Sequence, residues 1–545
     1  YKRQMLYPAG IAARERLGHR GVLRAGALAT ILLLPGCTVL GPDYEQPDTE
    51  LSENWNIPIE DSFSADSSEM VAWWQSFDDP VLGELIEQAY RRNYSLEVAG
   101  LKVLEARAQL GIAIGSAYPQ SQTLSGAATR ISASESNANT GGGDLNYAQY
   151  GVAGSIGWEM DFWGRFQRGI ESADASFLAS IADYDNALVL LIAQVADTYT
   201  TIRTVEERLR LARENLVLQQ RSYDIAELKF KEGQDSELDM QQALTLLLST
   251  EATVPALQAQ LVQTRNALAT LLAMPTAEII SLLGSASAIP ALPESVAVGI
   301  PADLLRRRPD VRQAELQAVA QSNLIGVAQA DLYPSFVLTG TVGLAAAGST
   351  STTRTGNSGA TELLDPDSLQ FSAGPQFSWN VLNYGRLKNA VRVQDARLQQ
   401  LLVNYQNAVL SAAQEVEDAM IGILNGKRQT EILERTVTSA KRSSDLSVLR
   451  YKEGFSDYQR VLDAQQALFA QQQRYVDAQG STVRAVVSLY TALGGGWQLR
   501  QGDGFVDESI RQQMRERTNW GDLLEPAATD PAITEAEGTF RKPDS

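Results

Sequence analysis

The 545-residue chain contains one cysteine, Cys37, and one histidine, His19. No intrachain disulfide can form, and a Cys/His zinc site, a Cys-His dyad or a Ser-His-Asp triad would each need residues that the chain beyond Cys37 lacks. Most familiar hydrolase chemistry is closed, and no metal or cofactor is expected. Carboxylate pairs such as Glu206-Glu207 and Asp78-Asp79 could in principle supply acid and base. They fit solvated helix faces or caps better, and the chain is read as not an enzyme. Positive charge is scarce too. The net charge is -19, and it falls to -24 once the first 36 residues, with six basic groups and one acidic, are set aside. Nucleic acid is therefore not expected as a partner.

What is present begins with an address. Arg14, Arg16, Arg20 and Arg24 precede an apolar run from Ala25 to Leu34, too short to span a bilayer and matching the n- and h-regions of a secretory signal. Leu34-Pro35-Gly36-Cys37 resembles the lipobox of bacterial lipoproteins, which implies a signal peptide over 1-36 and lipidation of Cys37. Thr38 stands where an aspartate would favour inner-membrane retention, so the resemblance implies the outer membrane.

The body of the chain is a duplication. Trp158-Glu159-Met160-Asp161-Phe162-Trp163-Gly164-Arg165 corresponds to Trp379-Asn380-Val381-Leu382-Asn383-Tyr384-Gly385-Arg386, 221 residues later. The same offset links Phe230-Lys231-Glu232-Gly233 to Tyr451-Lys452-Glu453-Gly454. Between these markers Ile181, Tyr184, Leu188, Leu191, Val195, Ile202, Val205 and Leu209 step by fours and threes. Tyr405, Val409, Ala412, Val416, Ala419 and Ile423 repeat the ladder, which weakens beyond Ile423. Only Gly169 interrupts the stretch from Arg165 to Glu232, which predicts a helix about 100 Å long at about 1.5 Å per residue. Gly233 and Gly454 predict reversals into return helices, giving two long hairpins, and Pro255 predicts a break in the first return.

A pair of strand-like segments precedes each hairpin: Gln120 to Thr129 with Tyr147 to Trp158, then Ser335 to Leu344 with Phe371 to Trp379. Their lengths suit tilted transmembrane strands, and the Gly/Ser/Thr/Asn-rich segments between partners suit exposed tips. Trp158, Phe162, Trp163, Trp379 and Tyr384 sit where strand gives way to helix, either as an interfacial belt or as ordinary core at the junction.

Cys37 to Pro47, Tyr118-Pro119, Tyr333-Pro334, Arg306 to Glu315 and Ala492 to Trp497 resemble TolC-like outer-membrane factors of the NodT lipoprotein subfamily, which serve RND-type efflux pumps. The resemblance implies an α+β membrane protein: a homotrimeric channel in which four strands per chain close a twelve-stranded transmembrane β-barrel over a periplasmic α-helical barrel of coiled-coil hairpins. It implies a periplasmic membrane-fusion adaptor protein and an inner-membrane RND transporter as partners, with outer-membrane lipid around the barrel. The expected divisions are a lipidated extended segment 37-75, periplasmic helix 76-117, strand pair 118-158, hairpin 159-274, linker 275-301, periplasmic helix 302-332, strand pair 333-380, hairpin 381-493 and a C-terminal periplasmic tail 494-545, peripheral or flexible after Trp497. Gly233 and Gly454 mark the adaptor-facing tips. Tyr451 and Val461-Leu462-Asp463 match the family's gate region, with Asp463 crowding the axis and Tyr451 holding the hairpin to a neighbouring chain. Arg460 and Gln466 depart from that pattern, and a solvated role for Asp463 stays open. The alternative function is a non-conducting structural coiled-coil outer-membrane lipoprotein.

Overall fold

The computed structural model describes residues 38–48, 55–57, 63–64, 71–134, 136, 145–285, 288–293, 295–297, 307–349, 359–500 and 504–525. Cys37 and the expected signal peptide, Arg306, the outermost parts of the two loops between paired strands, and the tail beyond 525 lie outside the described residues.

The duplication is carried into three dimensions most closely in the two long helices. Helix α3, Arg165–Lys231, and helix α8, Arg386–Lys452, each run 67 residues, with both ends 221 positions apart. Each starts after a left-handed glycine, Gly164 or Gly385, and each ends at another, Gly233 or Gly454. At the C-termini the amide of Gln234 reaches Lys229 O at 2.8 Å and that of Phe455 reaches Arg450 O at 2.8 Å, the six-to-one bond that reverses a chain after a left-handed residue. Lys229, Lys231, Arg450 and Lys452 in the last turns oppose the negative end of each helix dipole.

The return helices differ. In the first copy α4, Glu237–Glu251, breaks at Ala252 before α5, Thr253–Leu271. Pro255 falls in the first turn of α5, where a missing amide hydrogen costs nothing. Its counterpart in the second copy is the buried Val476, and α9, Tyr458–Ala492, is continuous over 35 residues.

Two shorter helices, α1 (Pro80–Arg92) and α2 (Tyr94–Gly115), meet at Asn93, whose side chain caps α2 by accepting from Leu96 N at 2.9 Å. Helix α2 leads into β1 (Ser121–Ser132), which pairs with β2 (Asn146–Met160). After the first hairpin, the linker holds a short helix, α6 (Thr276–Leu283), and Val296–Ala297 bridges in parallel to Phe63–Ser64. Helix α7 (Pro309–Ala330) then leads to β3 (Ser335–Ser349) and β4 (Leu369–Ser378). The four strands form one antiparallel sheet in sequence order, β2 against β3 joining the copies. Pro375, which cannot donate to a ladder, sits on the edge strand β4.

The main core lies at mid-height of the helices, where the middle of α3, the end of α9 and α1 meet. Trp73 stacks on Tyr490 with ring centroids 5.1 Å apart, and Leu85, Leu188, Val195 and Ile202 are fully buried around them. Buried arginines tie the irregular segments to this frame. Arg168 holds the N-terminal segment through Asp43 (2.8 Å) and Leu40 O (3.2 Å). Arg203, on α3, reaches Leu283 O at 2.9 Å and Glu206 at 2.8 Å. Arg308 joins the start of α7 to Glu415 (2.8 Å) and Ala492 O (2.6 Å).

Residues after Trp497, expected as a peripheral or flexible tail, pack against α2 in their described part. Helix α10, Glu508–Arg517, docks on α2 through Leu104, Val506, Met514 and Leu524. Arg107 caps the end of the segment at Leu523 O, 2.8 Å, and a side chain at Gly100 would strike Phe505 O. The tail lacks a heptad because it packs a single short face, too little for periodicity to register.

Candidate functional site

The junction between sheet and helices is the first site. Trp158 donates from Nε1 to Ala117 O at 3.1 Å and Trp379 to Leu332 O at 3.0 Å, while Trp163 donates to Pro334 O at 2.8 Å and lies against Tyr333. Each indole thus ties a strand end to the helix entering its partner strand. Trp158, Phe162 and Trp379 are exposed within the chain and Tyr384 fully so, at 100%, with a left-handed backbone of φ 50°. Trp158 and Trp379 thus combine exposed rings with satisfied indole nitrogens at the strand–helix boundary.

The N-terminal segment starts at this same level. Leu40 N donates to Trp163 O at 3.1 Å, Val39 packs on Gly164 and Gly41 lies against Gly326 so closely that a Cβ on either glycine would overlap backbone. From there the segment descends along α3 and α7, and Gln46 donates to the Tyr405 hydroxyl on α8 at 2.8 Å. Thr38, directly after Cys37, therefore emerges beside the aromatic boundary of the sheet.

The hairpin tips form the second site, at the far end of the long helices. Gly233 and Gly454 are exposed with open space around them, and the apolar Leu238 (65%) and Phe455 (75%) project beside them. Beneath this surface Tyr451, Tyr458, Val461, Ala226 and Ala243 form a small buried cluster that joins the two hairpins of one chain. The tyrosine rings meet edge to face at 5.3 Å. Lys229 lies over the Tyr451 ring at 4.8 Å and donates to Tyr451 O at 2.9 Å.

Tyr451 is thus engaged by its own chain and only 2% exposed, where the sequence reading had it reaching a neighbouring chain. The first hairpin presents its tip at the same height, and its Ala226 and Ala243 share the buried cluster with Tyr451. Burial and the adjoining carboxylate of Asp235 push the Tyr451 hydroxyl well above its ordinary pKa, and burial with the charge of Asp239 does the same to Tyr458. Asp235 and Asp239 face each other across Ser236, which accepts from Asp239 N at 3.3 Å. Burial pushes Asp235 up, but hydrogen bonds from Asp239, Tyr451 and Ser236 N and the charge of Lys229 outweigh it and hold the carboxyl below its usual range. Asp239 is raised by burial and by Asp235.

Asp463 stands in the second turn of α9, outside this cluster, exposed and accepting from Gln459 Nε2 at 2.8 Å. Sequence reading had singled out neither Asp235 nor Asp239. Their signal is the offset itself: Asp239 corresponds to Arg460, so the two tips differ in charge at equivalent places.

The model of the family described as outer membrane efflux protein matches residues 85–274 and 300–495. Nodulation protein T of Rhizobium leguminosarum bv. trifolii is 30% identical over 472 residues, 86% of this chain and 96% of that protein. The probable outer membrane lipoprotein SilC of Salmonella typhimurium is 30% identical over 487 residues, 87% and 99% of the two chains. Among solved structures, the outer-membrane channel OprN superposes with a TM-score of 0.76 at 30% identity, covering 84% of this chain and 99% of that one.

Proposed function

Because this chain belongs to the outer membrane efflux protein family and is the outer-membrane exit channel of a tripartite efflux pump, we propose that it is a passive conduit gated at its periplasmic hairpin tips. Trimers of this fold close the sheet into a barrel and the hairpins into a helical duct, so no strand edge is left in lipid. The chain carries out no chemistry of its own. A periplasmic membrane-fusion adaptor docks at Gly233 and Gly454, where Leu238 and Phe455 offer apolar contact, and an inner-membrane RND transporter supplies the energy.

The observation that carries the gate is the buried tyrosine cluster, which joins the two hairpins of a chain at the end that must open. Threefold symmetry brings three copies of Asp463 toward the axis, where close carboxylates narrow the pore and favour cations. Tyr451 holds the second hairpin against the first. Single-channel recording tests this: Asp463→Ala raises resting conductance or weakens cation preference, and Tyr451→Phe gives a smaller opening. Wild-type conductance and reversal potential in Asp463→Ala would remove Asp463 from the gate.

At the other end Cys37 carries acyl chains. The position of Thr38 beside the aromatic boundary supports this, because lipid on the preceding residue enters the leaflet at the level of Trp163. Each buried methylene contributes about 0.8 kcal/mol of membrane affinity. Intact-mass measurement is expected to show a diacylated or triacylated protein beginning at Cys37, and an unmodified cysteine would refute it.

A further inference from the structure

The sheet sorts its residues onto two faces. Leu124, Gly154, Val342 and Phe371 share one rung, and Ile156, Leu338 and Phe377 lie on the same side. On the opposite side the adjoining rung is Thr123, Ser155, Thr341 and Ser372, hydroxyls in register across all four strands, with Thr123 Oγ1 2.7 Å from Ser155 Oγ. The apolar face meets lipid, so the hydroxyl face lines the lumen. Its neighbours are small or neutral: Ser125, Ala153, Gly343 and Gln370 on one rung, Ser121, Gly157, Thr339 and Gly374 on another.

Among the described residues of this face from Ser121 to Ile131, Tyr147 to Gly157, Ser335 to Ala347 and Gln370 to Ser378, none is charged. The first charge is Glu159 at the helical end, and it is already engaged by Arg165 at 3.4 Å. The wall is thus neutral in a chain whose net charge is -19.

We infer that the outer-membrane half of the duct selects by size and not by charge, its wall carrying one row of four hydroxyls per chain from Thr123, Ser155, Thr341 and Ser372. Hydroxyls donate and accept alike, so they hydrate cationic and anionic cargo equally. A wall of one sign would instead concentrate counter-ions by about tenfold or more. Charge selection is left to the acidic helical portion, and small molecules of either sign pass the barrel once through the gate. The inference rests on the channel reading above.

The test is thiol labelling of the full-length trimer in vesicles, with reagent added outside. Two methanethiosulfonates are compared, one bearing trimethylammonium and one bearing sulfonate. Wild type, with Cys37 alone, is the background. In Thr341→Cys both reagents are expected to react, with a cation-to-anion rate ratio within about threefold of that of a free thiol, because no field favours either. Val342→Cys, one residue on and facing lipid, is expected to resist both. A ratio displaced about tenfold toward the cationic reagent would overturn the inference, as would labelling of Val342→Cys in preference to Thr341→Cys. Ser155→Cys carries the same test if Thr341→Cys fails to assemble. Bilayer conductance of the wild-type trimer checks conduction separately, so a silent channel with an accessible Thr341→Cys would fault the channel reading and leave the wall assignment standing.

Discussion

Helices α3 and α8 have the same length and equivalent ends, yet 28 residues of α3 are buried within the chain against 11 of α8. The difference is concentrated on one stripe. Ala182, Val189 and Leu211 are buried at 2%, 3% and 7%, while their counterparts 221 positions on, Val403, Leu410 and Ile432, are exposed at 52%, 58% and 61%. Helix α3 lies between elements of both copies, with α2 on one side and α7 on the other. Helix α8 has α7 and α9 from its own chain, and the side equivalent to the second neighbour is open. An apolar stripe without an intrachain partner is what a closed trimer requires, because the missing neighbour is the first copy of the next chain. Internal repetition therefore makes the two helices alike, and position in the ring makes them different.

The largest effect that separates the two is a buried charge. Val189→Asp is expected to prevent folding of the chain, since an unpaired carboxylate in that core costs several kcal/mol. Leu410→Asp is expected to leave a folded, helical chain that runs as a monomer in size-exclusion chromatography. A stable Leu410→Asp trimer would break the comparison.

The tips give a smaller effect. At Asp235 the folded pKa is lowered, so the stabilisation from its charged form is present above the unfolded value and lost as pH falls through the folded one. Acid below the usual carboxylate range is therefore expected to loosen the contact with Tyr451 and raise resting conductance. Asp235→Asn is expected to show part of that rise at neutral pH, with little further response to acid. The raised pKa of Asp239 acts in the opposite sense, its stabilisation being lost as pH rises through the folded value, so Asp239→Asn is expected to leave the acid response in place.

The smallest effect sits at the hairpin ends. Ala273, at φ 47°, occupies in the first copy the left-handed position that Gly494, at φ 69°, occupies in the second. Ala273→Gly is expected to stabilise the protein by about 1 kcal/mol, and Gly494→Ala to destabilise it by more, because a Cβ there would also press Arg308 at 3.2 Å. Thermal melts of both variants decide whether the first copy holds this strain.

Much of this architecture was legible in residue spacing. The offset of 221, the heptad ladders, the unbroken run to Gly233 and the two-residue alternation of the strands each arise from local geometry, and local geometry is what periodicity reports. The weakening of the second ladder after Ile423 was equally visible, and beyond it only Leu424, Ser444 and Tyr451 of α8 are buried within the chain. What spacing could not give is which groups meet across the chain. Tyr451 beside Asp235, Arg308 on Glu415, Leu40 under Trp163 and α10 on α2 join segments that share no period. The sequence by itself determined the elements, their lengths and their twofold repetition, because each follows from steric and hydrophobic patterns within a few turns. Only the tertiary structure decided which copy of an equivalent face is buried and which tyrosine is locked at the tip, because those depend on neighbours that the chain brings together after hundreds of residues.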